Sequence, residues 1–146
     1  MSRAAPRAAP LSITVAGTLD AVPRARRSLS QWLRKAGASD RISRELGLVV
    51  TELCNNAVEH GAASEARPVL IFARVARGVV EMDIRESATE QQQGLAGAMR
   101  AATAPPDVAD ERGRGLFLVR AYVDDVAIEH DARGELRIHL RKKLAR

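Results

Sequence analysis

The chain predicts an α+β domain, a two-layer sandwich in which helices cover one face of a mixed, mostly antiparallel sheet. Three observations lead there. A helical run over about residues 40–60 carries a single apolar stripe. Two pairs of short alternating segments, Val69–Val75 with Val80–Ile84 and Val126–His130 with Leu136–Leu140, each read as an antiparallel hairpin. The element order is strand, two helices, two strands, loop, helix, two strands, with no internal repeat.

Taken in order, Leu11–Val15 alternates apolar and polar residues and predicts the first strand. Leu19, Val22, Leu29, Trp32 and Leu33 then predict a helix that ends before Gly37, with Pro23 in its first turn. Ser39 or Asp40 is a suitable N-cap for the second helix, and Gly61 is a natural stop for it. Its stripe is Ile42, Leu46, Val49, Val50, Leu53 and Ala57, the i, i+3, i+4, i+7 recurrence of one buried face. Gly78 permits the turn of the first hairpin. Residues 87–111 are rich in Ala, Gln and Thr, include Pro105-Pro106 and lack a wide apolar stripe. They predict a mobile segment with one short helix near Gln91–Ala102. Gly113-Arg-Gly115 opens a third helix over Leu116–Tyr122, and a turn at Asp131–Gly134 joins the last two strands.

At 146 residues the chain is the size of one domain, taken as residues 11–146 behind a flexible tail of residues 1–10. Aromatic residues are few: Trp32, Phe72, Phe117 and Tyr122. The core must therefore be built from Ala, Val, Leu and Ile, and base-stacking platforms are not expected. The net charge of +5 comes from Arg and Lys scattered among acids. Without a continuous basic block, direct nucleic-acid binding is not expected, and the charge suits a phosphate-bearing ligand or an acidic partner. Cys54 is the single cysteine and falls within the apolar helix, which excludes an internal disulfide and fits a reducing compartment. No run approaches the ~18 apolar residues of a membrane span and no leader is evident, so a cytoplasmic protein is expected.

Two motifs carry chemistry. At about 100° per residue, Glu52, Asn56 and Glu59 fall in one narrow sector beside the apolar stripe. Glu52 can accept a proton, and the neutral amide oxygen of Asn56 suits a hard cation such as Mg2+. The same spacing also describes an ordinary solvated helix edge. The second motif, Arg112-Gly113-Arg114-Gly115-Leu116-Phe117-Leu118-Val119, places glycines where a loop meets a helix N-terminus, a setting that favours phosphate oxygens. Alone it reads equally as a tight turn. His60, His130 and His139 form no ligand cluster, and a structural role suits His60.

Together, in this order and spacing, the motifs resemble those of the histidine-kinase-like ATPase superfamily (the Bergerat fold), and within it the small anti-sigma factor serine kinases of bacterial partner-switching pathways. The resemblance spans roughly Leu11–Leu144. Glu52-x-x-x-Asn56-Ala-x-x-His60-Gly61 looks like the family's N box, and Gly113–Val119 followed by Asp124-Asp-Val126 looks like its second glycine box. The resemblance implies that Asn56 holds the Mg2+ of bound ATP and that Glu52 is the general base. It further implies that Arg112, Gly113, Arg114, Gly115 and Leu116 meet the nucleotide, and that residues 87–111 form a lid. The implied partners are a STAS-type anti-sigma factor antagonist as substrate, a sigma factor or comparable regulator, and a second copy in a homodimer. One box departs from the pattern: the family's Asp-x-Gly-x-Gly is replaced by Glu86-Ser-Ala88-Thr-Glu90, with Gly134 and Glu135 where a supporting Thr is usual. Glu86 and Ala88 thus stand at the adenine site, and the longer side chain and the added Cβ imply weakened nucleotide affinity. Both an active kinase and a binding module that holds a partner without turnover follow from this reading.

Overall fold

A computed structural model of the chain describes residues 8–60, 63–64, 66–87, 111–130 and 134–144, and for residues 60 and 111–114 the backbone only. Gly61 as a helix stop, Ala88, the lid segment 88–110 with its short helix, and most of the turn at 131–134 lie outside the described residues. The elements are β1 (Leu11–Val15), α1 (Val22–Lys35), α2 (Asp40–His60), β2 (Val69–Ala76), β3 (Val79–Ser87), α3 (Glu111–Tyr122), β4 (Asp125–His130) and β5 (Glu135–Lys143). A short 3-10 turn, Leu19–Ala21, leads into α1.

The strands form one open sheet in the order β1-β2-β3-β5-β4, and all four pairings are antiparallel. Its register brings like faces together. Ile84 stands opposite Ile71 on one side and Ile138 on the other, and Met82 opposite Ala73 and Leu140. These residues, with Val69, Val80 and Leu136, are buried beneath Leu29 and Leu33 of α1 and Leu46, Val49, Val50 and Leu53 of α2. The other face is solvated: Arg74 and Glu81 pair at 2.6 Å, His139 and Asp83 at 2.8 Å, and the Arg85 guanidinium lies 5.2 Å from the Phe72 ring centre. Alternation along each strand therefore separates core from surface.

Local chemistry fixes the ends. Ser39 caps α2, its Oγ accepting from the Ile42 N–H at 3.2 Å. Arg77 and Gly78, with φ of 53° and 74°, make the two-residue turn between β2 and β3, where both central positions need a positive φ. Trp32 Nε1 donates to the Ala9 carbonyl at 2.6 Å, so the chain is tied to α1 before the first strand begins. No helix among the described residues is long and apolar enough to cross a membrane.

One polar contact joins the two layers. Lys142 lies on the covered face of β5 with its side chain 4% exposed, and its Nζ pairs with Glu45 of α2 at 2.8 Å. It also donates to the carbonyl of Tyr122, the last residue of α3, where a cation complements the helix dipole. Burial pushes the Glu45 carboxyl up, but its bonds to Lys142 and Arg41 outweigh this and leave it below the usual Glu range. That contribution is present above the ordinary carboxylate pKa and lost as pH falls through the depressed value. Lys142→Met is expected to cost about 3 kcal/mol near neutral pH, because the partner carboxylate and a helix-end carbonyl stay behind. Urea denaturation checks this. The cost should shrink below about pH 4, and a loss under ~1 kcal/mol at pH 7 would show that the clamp does not hold the layers.

Candidate active site

The phase of α2 decides where its polar residues emerge. Burying Leu46, Val49, Val50, Leu53 and Ala57 against the sheet leaves Glu52 and Asn56 at the rim, half-buried, with Glu59 exposed one turn on. Glu52 is held above the usual carboxylate range, first by burial and then by the like charge of Glu59. Asn56 is more unusual. Its side-chain Oδ1 and Nδ2 are both shielded from solvent and have no hydrogen-bond partner among the described residues. Such a group costs roughly 1–3 kcal/mol of folding stability, so a native chain that keeps one has a use for it.

Helix α3 lies against this rim. Its start at Glu111 puts Gly113 and Gly115 inside the helix, where the sequence places them in the turn before it. Leu116, Val119 and Val123 are buried where the chain packs on α2 and the sheet, and Gly115 is buried beside them. Gly115 is the point of closest approach that matters chemically. A Cβ there would stand 2.5 Å from Glu52 Oε2 and 3.3 Å from its Cδ. Leu116 belongs to the hydrophobic core. The backbones of Arg112, Gly113 and Arg114 form the first turn of α3, beside the same rim.

Glu86 takes the place expected from the register of β3. It follows Val80, Met82 and Ile84 on the covered face, is 3% exposed, and pairs in register with Leu136. It lies within electrostatic reach of Cys54 of α2. Burial and this carboxylate together push the Cys54 thiol up to about 12, which makes it an inert core residue. The positions named from the sequence thus surround the C-terminal half of α2: Glu52 and Asn56 on its rim, Gly115 against Glu52, and Glu86 beneath. What the sequence reading did not supply is the direct contact of Gly115 with Glu52, since residues 63 positions apart carry no spacing signal.

The arrangement fits a hard cation through the Asn56 amide oxygen, which has no hydrogen-bond partner among the described residues. Among the described residues no group of three or more His, Cys, Asp or Glu could hold a metal ion. Mg2+ held by one amide and by substrate phosphates needs no such cage.

A model of the histidine kinase-like ATPase domain matches residues 15–142. The chain belongs to this family. An ATPase domain implies nucleotide binding. Among solved structures, the fold is similar to the RsbU and RsbW domains of Rv1364c from Mycobacterium tuberculosis, at 25% identity and a TM-score of 0.69, over 94% of this chain and 33% of that one. The chain thus spans about one third of the length of that chain. The SiaB–SiaC complex from Pseudomonas aeruginosa shares the fold at 13% identity and a TM-score of 0.71, with 90% and 88% covered. The mycobacterial sensor histidine kinase MprB does so at 16% identity and 0.52, with 92% and 97% covered.

Two outcomes follow for this histidine kinase-like domain. Because the Glu52 pKa is raised on folding, its contribution is fully present below the ordinary Glu pKa and is lost as pH rises through the folded value. Glu52→Gln should therefore raise the melting temperature at pH 7–8 and leave it unchanged near pH 3; an equal effect at both would refute the strained carboxylate. Asn56→Leu removes two orphaned polar atoms at similar volume. It should stabilise the nucleotide-free protein by about 1 kcal/mol in urea denaturation, and destabilisation of that size would mean the amide is satisfied.

Proposed function

We infer that this chain is an ATP-dependent protein serine kinase and anti-sigma regulatory factor of a bacterial partner-switching pathway. It would bind a sigma factor or comparable regulator and phosphorylate a STAS-type anti-sigma factor antagonist on serine, working as a homodimer in the cytoplasm. The observation that carries this reading is the Glu52–Asn56 pair: a base with a raised pKa and an orphaned amide four residues apart, beside a glycine-bearing helix start. The histidine kinase-like family and the RsbW domain of the mycobacterial protein support it.

The chemistry asked of the chain is modest, because phosphoryl transfer depends on positioning and charge neutralisation. The serine oxygen forms a bond to the γ-phosphorus as the bond to the β,γ-bridging oxygen breaks, ADP leaves, and the hydroxyl proton passes to Glu52. Asn56 and the phosphates would hold Mg2+, which would supply charge neutralisation. Glu52 orients the hydroxyl and takes its proton, and its raised pKa makes it a stronger base than an exposed Glu. The backbone of the first turn of α3, over Arg112, Gly113 and Arg114, offers N–H groups to the phosphates. Glu86 keeps a carboxylate at the adenine position, one methylene longer than the family's Asp.

Glu86 also favours a second reading, a binding module that holds its partner without turnover. Titration calorimetry with ATP, with and without Mg2+, separates the two. Mg-dependent binding that Asn56→Ala removes, with serine phosphorylation of the antagonist that Glu52→Ala lowers roughly 10²–10⁴-fold, is expected; the partner complex should survive both substitutions. No binding at millimolar ATP would leave the binding module.

A further inference from the structure

We propose that Gly115 is the positioning residue for the general base: the absence of a side chain at this point of α3 is what lets the Glu52 carboxylate lie against the helix and fixes where its oxygens face. The inference rests on the kinase reading for its catalytic consequence, but the contact itself does not. Two observations carry it. A Cβ at residue 115 would stand 2.5 Å from Glu52 Oε2, 3.3 Å from Cδ and 3.9 Å from Cβ, so the obstacle would meet the carboxylate and not only the stem. Gly115 is buried in the fifth position of a helix that begins at Glu111, and a glycine there is less favourable than alanine, so the helix gains nothing from it. The space left by the missing side chain is what the Glu52 carboxylate occupies.

Burial raises the Glu52 carboxyl, and Gly115 is one of the residues that lies against it. A methyl group at residue 115 would push the carboxylate off the helix towards solvent and out of line with its nucleophile. Gly115→Ala is therefore expected to lower kcat roughly 10- to 100-fold, as small misplacements of catalytic groups do, with the KM for ATP unchanged within about twofold. The acidic limb of its pH–rate profile should move to lower pH.

A double-mutant cycle read by melting temperature tests the contact without any turnover. Near pH 3, where Glu52 is protonated and moving it to solvent releases no charge-burial cost, Gly115→Ala should fail to stabilise or should destabilise with Glu52 present; in the Glu52→Ala background the same change should raise the melting temperature, because only the helix preference of alanine is left. Equal stabilisation in both backgrounds overturns the inference. A non-additive cycle together with a Gly115→Ala enzyme of normal kcat and pH profile also overturns it, since the contact would then position nothing. A wild-type protein that binds Mg-ATP and its partner yet transfers no phosphate removes the kinase reading and the catalytic consequence with it, while the cycle still reports whether the two residues touch.

Discussion

The rotation of α2 about its own axis is the constraint from which both core and site follow. Seating Leu46, Val49, Val50, Leu53 and Ala57 on the sheet buries five apolar side chains completely or nearly so. At roughly 1.5–3 kcal/mol for each large aliphatic group, this term exceeds the strain at the rim several times over. An unsatisfied Asn56 amide costs about 1–3 kcal/mol, and turning α2 enough to wet it would lift Leu53 or Val49 from the core. The apolar stripe thus holds Glu52 and Asn56 where neither would settle alone.

The same face of the sheet has a second anchor at the opposite end of α2. Lys142 reaches Glu45 in the second turn of that helix and the last carbonyl of α3, so one buried ammonium ties both helices to β5. This fixes α3 at its C-terminal end, while Gly115 sets how closely its N-terminal half approaches α2. A helix held at one end and admitted by a glycine near the other can carry its first turn to the rim with little freedom in angle. The rim and the phosphate-favouring turn are then related by packing.

Much of this was legible in the sequence, and particular residues show why. The limits of α2 could be read because Ser39, the stripe and the following glycine agree, and the structure places it at Asp40–His60. The register of β3 could be read because Val80, Met82 and Ile84 alternate, which carried Glu86 to the covered face. Where reading fell short, the deciding partner was distant in the chain. Lys142 looks like one more cation in the Arg141-Lys142-Lys143 run until Glu45 is brought beneath it. Gly113 and Gly115 look like turn residues, yet both lie inside α3, and the close approach of Gly115 to Glu52 of α2 has no signal in the local sequence.

The choice between an active kinase and a silent binding module can be argued from the same energetics. A module that only presents a surface to a partner has no need for a carboxylate raised by burial and a like charge, for an amide stranded from water, or for a glycine inside a helix. The first two lower stability, and each is relieved by a single ordinary substitution. All three adjoin one rim, and a base beside a metal-bound phosphate is a chemistry that would use them together. Glu86 also keeps a carboxylate at 3% exposure on the covered face of β3, where a Val or Leu would have completed the strand's apolar face. On the kinase reading, the departure from the family's Asp alters the reach of that acceptor without removing it, so the stored cost at the Glu52–Asn56 rim favours a working site.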